Sequence, residues 1–134
     1  RMKSTILFLV IGLFPIISFA QSRLGSSAQE IKTEFWESEY NVESGYNDDG
    51  VYYVSLETDR ASVIHFFNDE KICVMSLIAP DNQGALNFYV ENYNNQYVIV
   101  SSTEWKMYSK NGIAKIKLIY PDDGGFYFVW TAEE

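Results

Sequence analysis

The 134-residue chain contains one cysteine, one histidine and three prolines, and it is poor in basic side chains, with 10 Lys and Arg against 18 Asp and Glu. Each shortage removes a class of function. Cys73 has no second cysteine to pair with, so the fold is not a disulfide scaffold. Flanked by Ile72 and Val74, its thiol reads as a small buried hydrophobe. His65 alone cannot form a histidine cluster around zinc, nor share acid and base roles with a second imidazole. Between Ile64 and Phe66 it reads as a half-buried structural residue. The pleat is expected to point it away from Cys73, which argues against a Cys–His dyad.

The net charge is −8; without Arg1 and Lys3, 8 basic side chains remain against 18 acidic ones, or −10. No basic patch able to neutralise a phosphate backbone can be assembled from so few cations, so nucleic acid is not an expected partner. The same charge disfavours docking on anionic lipid. Nucleophile-elbow, phosphate-loop and HExxH patterns are missing. Asp48-Asp49-Gly50 and Asp122-Asp123-Gly124 lack the alternating ligands and distal Glu of a calcium loop and read as turns. No cofactor or metal is expected.

What is present begins with a targeting pattern. Arg1 and Lys3 precede a nearly uninterrupted apolar run over residues 6–17, and Ser18-Phe19-Ala20 puts small residues where a signal peptidase reads. The pattern predicts a cleaved signal peptide over residues 1–20 and export to the periplasm or beyond. Gly12 and Pro15 interrupt a run already well short of the ~20 residues that span a bilayer. No cysteine follows Ala20 to carry a lipid, so no membrane anchor is expected after cleavage. Residues 21–134 are expected to form one domain, long enough to bury roughly 65% of its unfolded surface without staples.

The strongest helical signal lies in residues 80–97. Asp81 or Asn82 can cap it, and Leu86, Val90, Tyr93 and Tyr97, with Ala85 and Tyr89 beside them, make one apolar stripe. Asn94 and Asn95 are expected to end it. Ser27-Ala28-Gln29-Glu30 is a capping box and predicts a short N-terminal helix with Ile31, Phe35 and Trp36 on one face, fading near Ser38. Residues 39–49 read as irregular or as a weak edge strand. Strands are expected at 51–57, 62–67, 71–79, 97–101, 103–109, 113–120 and 126–131. Asn111-Gly112 predicts a type I′ hairpin that faces Met107 with Ile116 and Trp105 with Leu118.

The fold class is α+β: an antiparallel sheet of six to seven strands in two meanders, with the central helix packed on it and the short helix at the N-terminus. A three-residue loop around Asp59 and Arg60 would set Leu56 and Val54 opposite Ile64 and Phe66, and would leave Val63, His65, Phe67, Ile72 and Val74 on a second apolar face. With 10 Tyr, 9 Phe and 3 Trp, the aromatics cannot all be core. Val63, His65, Phe67, Ile72 and Val74, joined by Tyr53, Tyr108 and Tyr127, are therefore the candidate binding surface. The N-terminal helix, a ligand or another chain is expected to cover it, since large apolar patches are seldom left open.

The phrases ISFAQS, FFNDEKICVMSLIAP, ALNFYVENYNNQYVIVSSTEWKMYSKNG and IAKIKLIY resemble the small secreted proteins of the Bacteroidetes. The resemblance covers the signal and residues 64–120, and it implies export and a helix-plus-sheet fold but no activity. The element order is similar to that of secretion-chaperone-like α+β domains, which bind protein segments, an analogy of fold alone.

The leading functional expectation is an exported, non-enzymatic domain that binds a protein or peptide through a sheet face. The alternatives are a glycan-binding module using exposed Tyr and Trp, and a hydrolase using paired acidic side chains. A homodimer is compatible with either binding reading.

Overall fold

The computed structural model describes residues 23–35 and 41–133. The expected signal peptide, Trp36 and Tyr40 lie outside them. Helix α1 (Ala28–Phe35) is followed by β1 (Glu43–Tyr46), β2 (Tyr52–Glu57), β3 (Ala61–Phe67) and β4 (Cys73–Pro80). Helix α2 (Gln83–Gln96) then leads to β5 (Val98–Ser101), β6 (Glu104–Ser109), β7 (Gly112–Ile119) and β8 (Tyr127–Glu133). The fold is α+β as expected. Among the described residues there are eight strands rather than six or seven, in one sheet of order β1-β2-β3-β4-β8-β7-β6-β5. All pairs are antiparallel. The extra strand is β1, where the acidic, aperiodic 39–49 stretch still makes an edge.

Both helix starts follow from their caps. Ser27 Oγ accepts from the Glu30 amide at 3.1 Å while Glu30 Oε1 accepts from the Ser27 amide at 2.9 Å, a reciprocal box that satisfies two free donors. Asn82 Oδ1 accepts from the Ala85 amide at 2.9 Å. Helix α2 runs past Asn94 and Asn95 to Gln96, because Asn94 is engaged by tertiary structure: its Oδ1 accepts from Trp105 Nε1 at 2.8 Å. Tyr97 caps the end by donating its amide to the Tyr93 carbonyl.

Helix α2 buries Ala85, Leu86, Tyr89 and Tyr93. They meet Leu56, Val63 and Ile78 from one half of the sheet and Trp105, Ile116, Phe128 and Trp130 from the other. Tyr93 is at the centre, with ring centroids 4.9 Å from Phe128, 5.5 Å from Trp105 and 5.8 Å from Trp130. Helix α1 packs Ala28 and Ile31 on Val54, Phe67 and Cys73. These belong to the same inward face, so both helices cover one side of the sheet.

Three registers depart from expectation, and at β3–β4 Phe66 pairs Met75 and Ile64 pairs Leu77, where a four-residue loop would pair them with Cys73 and Met75. Glu57 pairs Ser62, and Thr58 closes a tight connection by donating its amide and its hydroxyl to the Ala61 carbonyl, at 2.8 and 2.9 Å. The loop is thus Asp59-Arg60, two residues instead of three. Val54 consequently opposes His65, and Leu56 opposes Val63. A slip of one residue exchanges the faces of a strand, so Val63, His65 and Phe67 point into the core, and Ile64 and Phe66 point out. The proposed second face made of Val63, His65 and Phe67 is therefore the interior, and its first residue packs with α2.

At β6–β7, Ser109 pairs Gly112 and Trp105 pairs Ile116, so the turn is Lys110-Asn111 and Gly112 begins β7. Here the slip is two residues, which preserves the faces: Trp105, Ile116 and Leu118 are buried as expected. Asn111 does not have positive φ, whereas Gly112 does, at +138°. The hairpin is therefore not the expected type I′ turn. Gly112→Val should still cost roughly 1–3 kcal/mol, because a β-branched side chain is strained at such a φ. No atom beyond its chain neighbours lies within 4 Å of the Cβ position, so the cost is backbone strain alone. An unchanged midpoint in urea for the Gly112→Val protein would contradict this assignment.

Candidate functional site

The uncovered face of the sheet is built by alternation. Residues that put Val54, Val63, Ser76, Ile78, Phe128 and Trp130 inward must put their neighbours outward. One cross-strand row reads Tyr53, Phe66, Met75, Thr131, Lys115, Lys106, and the next reads Ser55, Ile64, Leu77, Val129, Lys117, Glu104. Tyr53, Ile64, Phe66, Met75, Leu77 and Val129 are all half-buried and contiguous across β2, β3, β4 and β8. No described helix lies over them. The β6–β7 side of the patch is rimmed by Lys106, Lys115 and Lys117, with Lys106 tied to Glu133 at 2.9 Å.

Of the residues expected to form the binding surface, this face takes Tyr53, Tyr127 and Tyr108. Tyr53 is part of the apolar patch, and Tyr127 lies on the same side opposite Ile119. Tyr108 is exposed near the free end of β6, away from the patch. Ile72 is half-buried and bridges to Ser27 instead of pairing within the sheet. Val74 is exposed as the extra residue of a bulge, since Phe67 pairs Cys73 while Phe66 pairs Met75. The expected register puts Ile64, Phe66, Met75 and Leu77 in the core, with Val54 and Leu56. The lysines at 115 and 117, alternating with Ala114, Ile116 and Leu118, mark the outer face of β7, and that parity is the signal that could have found them.

The β4 bulge has a second effect. It turns Cys73 to the inner face although Met75 faces out, bringing the thiol to His65 after all. His65 Nδ1 and Ser76 Oγ are 2.7 Å apart, and Cys73 Sγ lies 3.6 Å from Ser76 Oγ and 4.0 Å from Nδ1. The pleat would keep the two side chains on opposite faces only in an unbroken register, and the shift between Phe66 and Phe67 breaks it.

The environment makes this trio a poor catalyst. Burial, with the Arg23 charge as a lesser cause, lowers His65 to about 4, so its ring is neutral at pH 7. Burial also pushes the Cys73 thiol up, outweighing the Ser76 and Met75 hydrogen bonds that favour the thiolate. A weak base beside a held thiol proton does not generate a nucleophile. The trio instead satisfies polar groups that β3 and β4 carry into the core.

An open groove of about 1200 Å³ lies where β4 and β8 part below the Met75–Thr131 pair, with Arg23 and Leu24 on one wall and Met107, Ala114 and Ala132 on the other. The Cys73 and Ser26 backbones bond here, at 2.8 Å. Arg23 is ion-paired to Glu34 at its edge.

Exposed aromatics do not form a row. Tyr46 is on β1 and Tyr108 on β6, with β2, β3, β4, β8 and β7 between them, while Tyr120 follows β7 at its far end. Trp105 and Trp130 are fully buried. Among the described residues no group of three or more His, Cys, Asp or Glu is placed to hold a metal ion, and no described helix is long and apolar enough to cross a membrane. No protein-family model, curated protein or solved structure matches the chain.

Proposed function

We propose that the chain is an exported, non-enzymatic domain that binds a protein or peptide partner on the open face of its sheet. One observation carries this reading: both helices cover the same side, leaving Tyr53, Ile64, Phe66, Met75, Leu77 and Val129 contiguous and uncovered by any described element. A two-layer fold normally turns a polar face to water, and a patch of this composition is what partners bury. Aromatic and Met side chains at its centre with lysines at its rim match the anatomy of a protein interface. Export rests on the residue 1–20 pattern and on the resemblance to small secreted Bacteroidetes proteins. The glycan reading gains no support from tyrosines scattered over opposite ends of the sheet.

Random peptides displayed on phage and selected on the purified protein test this. Retained peptides should be rich in apolar residues, should shift the amide resonances of β3, β4 and β8, and should bind at least ~10-fold more weakly to the Phe66→Asp and Leu77→Asp proteins. Both positions face outward, so each variant should keep its fold. Selected peptides that bind the two variants unchanged would overturn the assignment, as would a library that yields none.

A further inference from the structure

The two edges of the sheet are built differently, and the difference points to a second copy of this chain. Edge β1, Glu-Ser-Gly-Tyr, carries a charge, a glycine and the neighbouring Asp48 and Asp49, devices that discourage edge-to-edge pairing. Edge β5 is Val98-Ile99-Val100-Ser101 and is exposed at every residue. Val98, Ile99 and Val100 are 52, 55 and 49% exposed, which is unusual for three consecutive β-branched residues. Of the usual protections β5 has two, its four-residue length and the register shift between Ile99 and Ser101, but no charge, proline or glycine. Its outer backbone edge faces no other described strand.

The charges around β5 decide what fits there. Residues 92–103 contain no Asp, Glu, Lys, Arg or His, in a chain with 28 charged side chains among its 134 residues. A partner of opposite charge would need a charged rim of one sign here and would find only Lys106 and Glu104 on the neighbouring β6, one of each sign. A two-fold contact has the reverse requirement: groups near the axis meet their own copies, so any charge there repels itself. For a chain of net charge −8, the charge-free segment is where two copies can approach.

We infer that β5 pairs antiparallel with β5 of a second copy, joining the two sheets edge to edge. The contact is independent of the open-face site, which lies on β2, β3, β4 and β8. A strand of four residues is about 14 Å long, so the interface falls below the ~1,200 Å² of standard complexes. The dimer should accordingly be weak, with a Kd in the range of about 10 to 500 μM.

Sedimentation equilibrium of the purified protein, from about 10 μM to about 1 mM, tests it. The expected result is a reversible monomer–dimer equilibrium. Ile99→Lys and Ile99→Glu should each weaken it by about tenfold or more, since both signs of charge meet their own kind. Mixing the two variants should restore association as a heterodimer. Circular dichroism matching that of the unsubstituted protein establishes that the exposed substitutions leave the fold intact. A protein that stays monomeric at the highest concentration, or a dimer that survives both substitutions, overturns the inference. Restoration in the mixture supports it specifically, because loss of a stabilising core contact would not be repaired by an opposite charge.

Discussion

Tyr93→Ala should destabilise the domain by about 3–5 kcal/mol, the range for emptying a large aromatic site in a packed core. Tyr93 is fully buried, and its ring contacts Tyr89 on its own helix and Tyr97 at the helix cap, as well as Trp105, Phe128 and Trp130 on β6 and β8. No neighbour can collapse into the space without giving up an edge-to-face contact of its own. The loss is a large part of the 5–15 kcal/mol typical of a domain, so the variant should be partly unfolded at 37 °C. Tyr93→Phe separates packing from hydrogen bonding. Trp130 Nε1 donates to the Tyr93 hydroxyl at 3.3 Å, and removing that acceptor leaves a buried donor unpaired, at a cost of about 1–3 kcal/mol. Urea unfolding of the three proteins checks the order: Tyr93→Ala below Tyr93→Phe below the unsubstituted chain. A Tyr93→Ala protein with an unchanged midpoint would mean that α2 does not seat on the sheet through this ring.

Acidification should unfold the protein earlier than its carboxylates alone require, and His65 is the reason. Its value in the fold is about 4, against about 6.5 in an unfolded chain. Above pH 6.5 the imidazole is neutral in both states and the burial is without electrostatic cost. As pH falls below 6.5 the unfolded chain takes up a proton that the folded one refuses, so stability declines until the folded value is reached near 4. The total loss is about 3 kcal/mol, of which about 2 has accrued by pH 5. The order of magnitude is set by burial, since His65 is enclosed with Ser76 and Cys73 and faces the Arg23 charge. His65→Gln removes the titration. Its stability curve between pH 7 and 5 should be flatter than that of the unsubstituted protein, whatever its absolute value. Parallel curves for the two would show that His65 is not buried neutral.

The open face was hidden from sequence reading by a single residue of loop length. Both Asp59-Arg60 and a three-residue loop are compatible with the letters, and Val63, His65 and Phe67 are as apolar as Ile64 and Phe66 once histidine is allowed inside. With two equally apolar alternations, local pattern does not decide which goes in. The β6–β7 hairpin escaped that ambiguity, because lysines alternate with apolar residues on β7 and any two-residue slip restores the same faces. The site residues Tyr53 and Tyr127 were legible as outward aromatics; Ile64, Phe66, Met75 and Leu77 were not, because their outward facing follows from the β2–β3 loop, and Val129 joins them only through β8 pairing with β4, between residues 50 to 56 apart in sequence.

The letters by themselves determined most of the elements and both helix starts. The Ser27–Glu30 box and the Asn82 cap start the helices because a free backbone amide takes the nearest short oxygen, and the stripe from Leu86 to Tyr93 follows from 3.6-residue geometry. Export and the acidic balance are also properties of local sequence, the former as a proposal. Tertiary structure alone decided that α1 lies on the same side as α2, that the β4 bulge swings Cys73 onto His65, and that β8 closes the two meanders into one sheet. Each depends on which of several equally apolar surfaces meet, and burial free energy, being proportional to area and indifferent to direction, is settled only when all the elements compete for the same core.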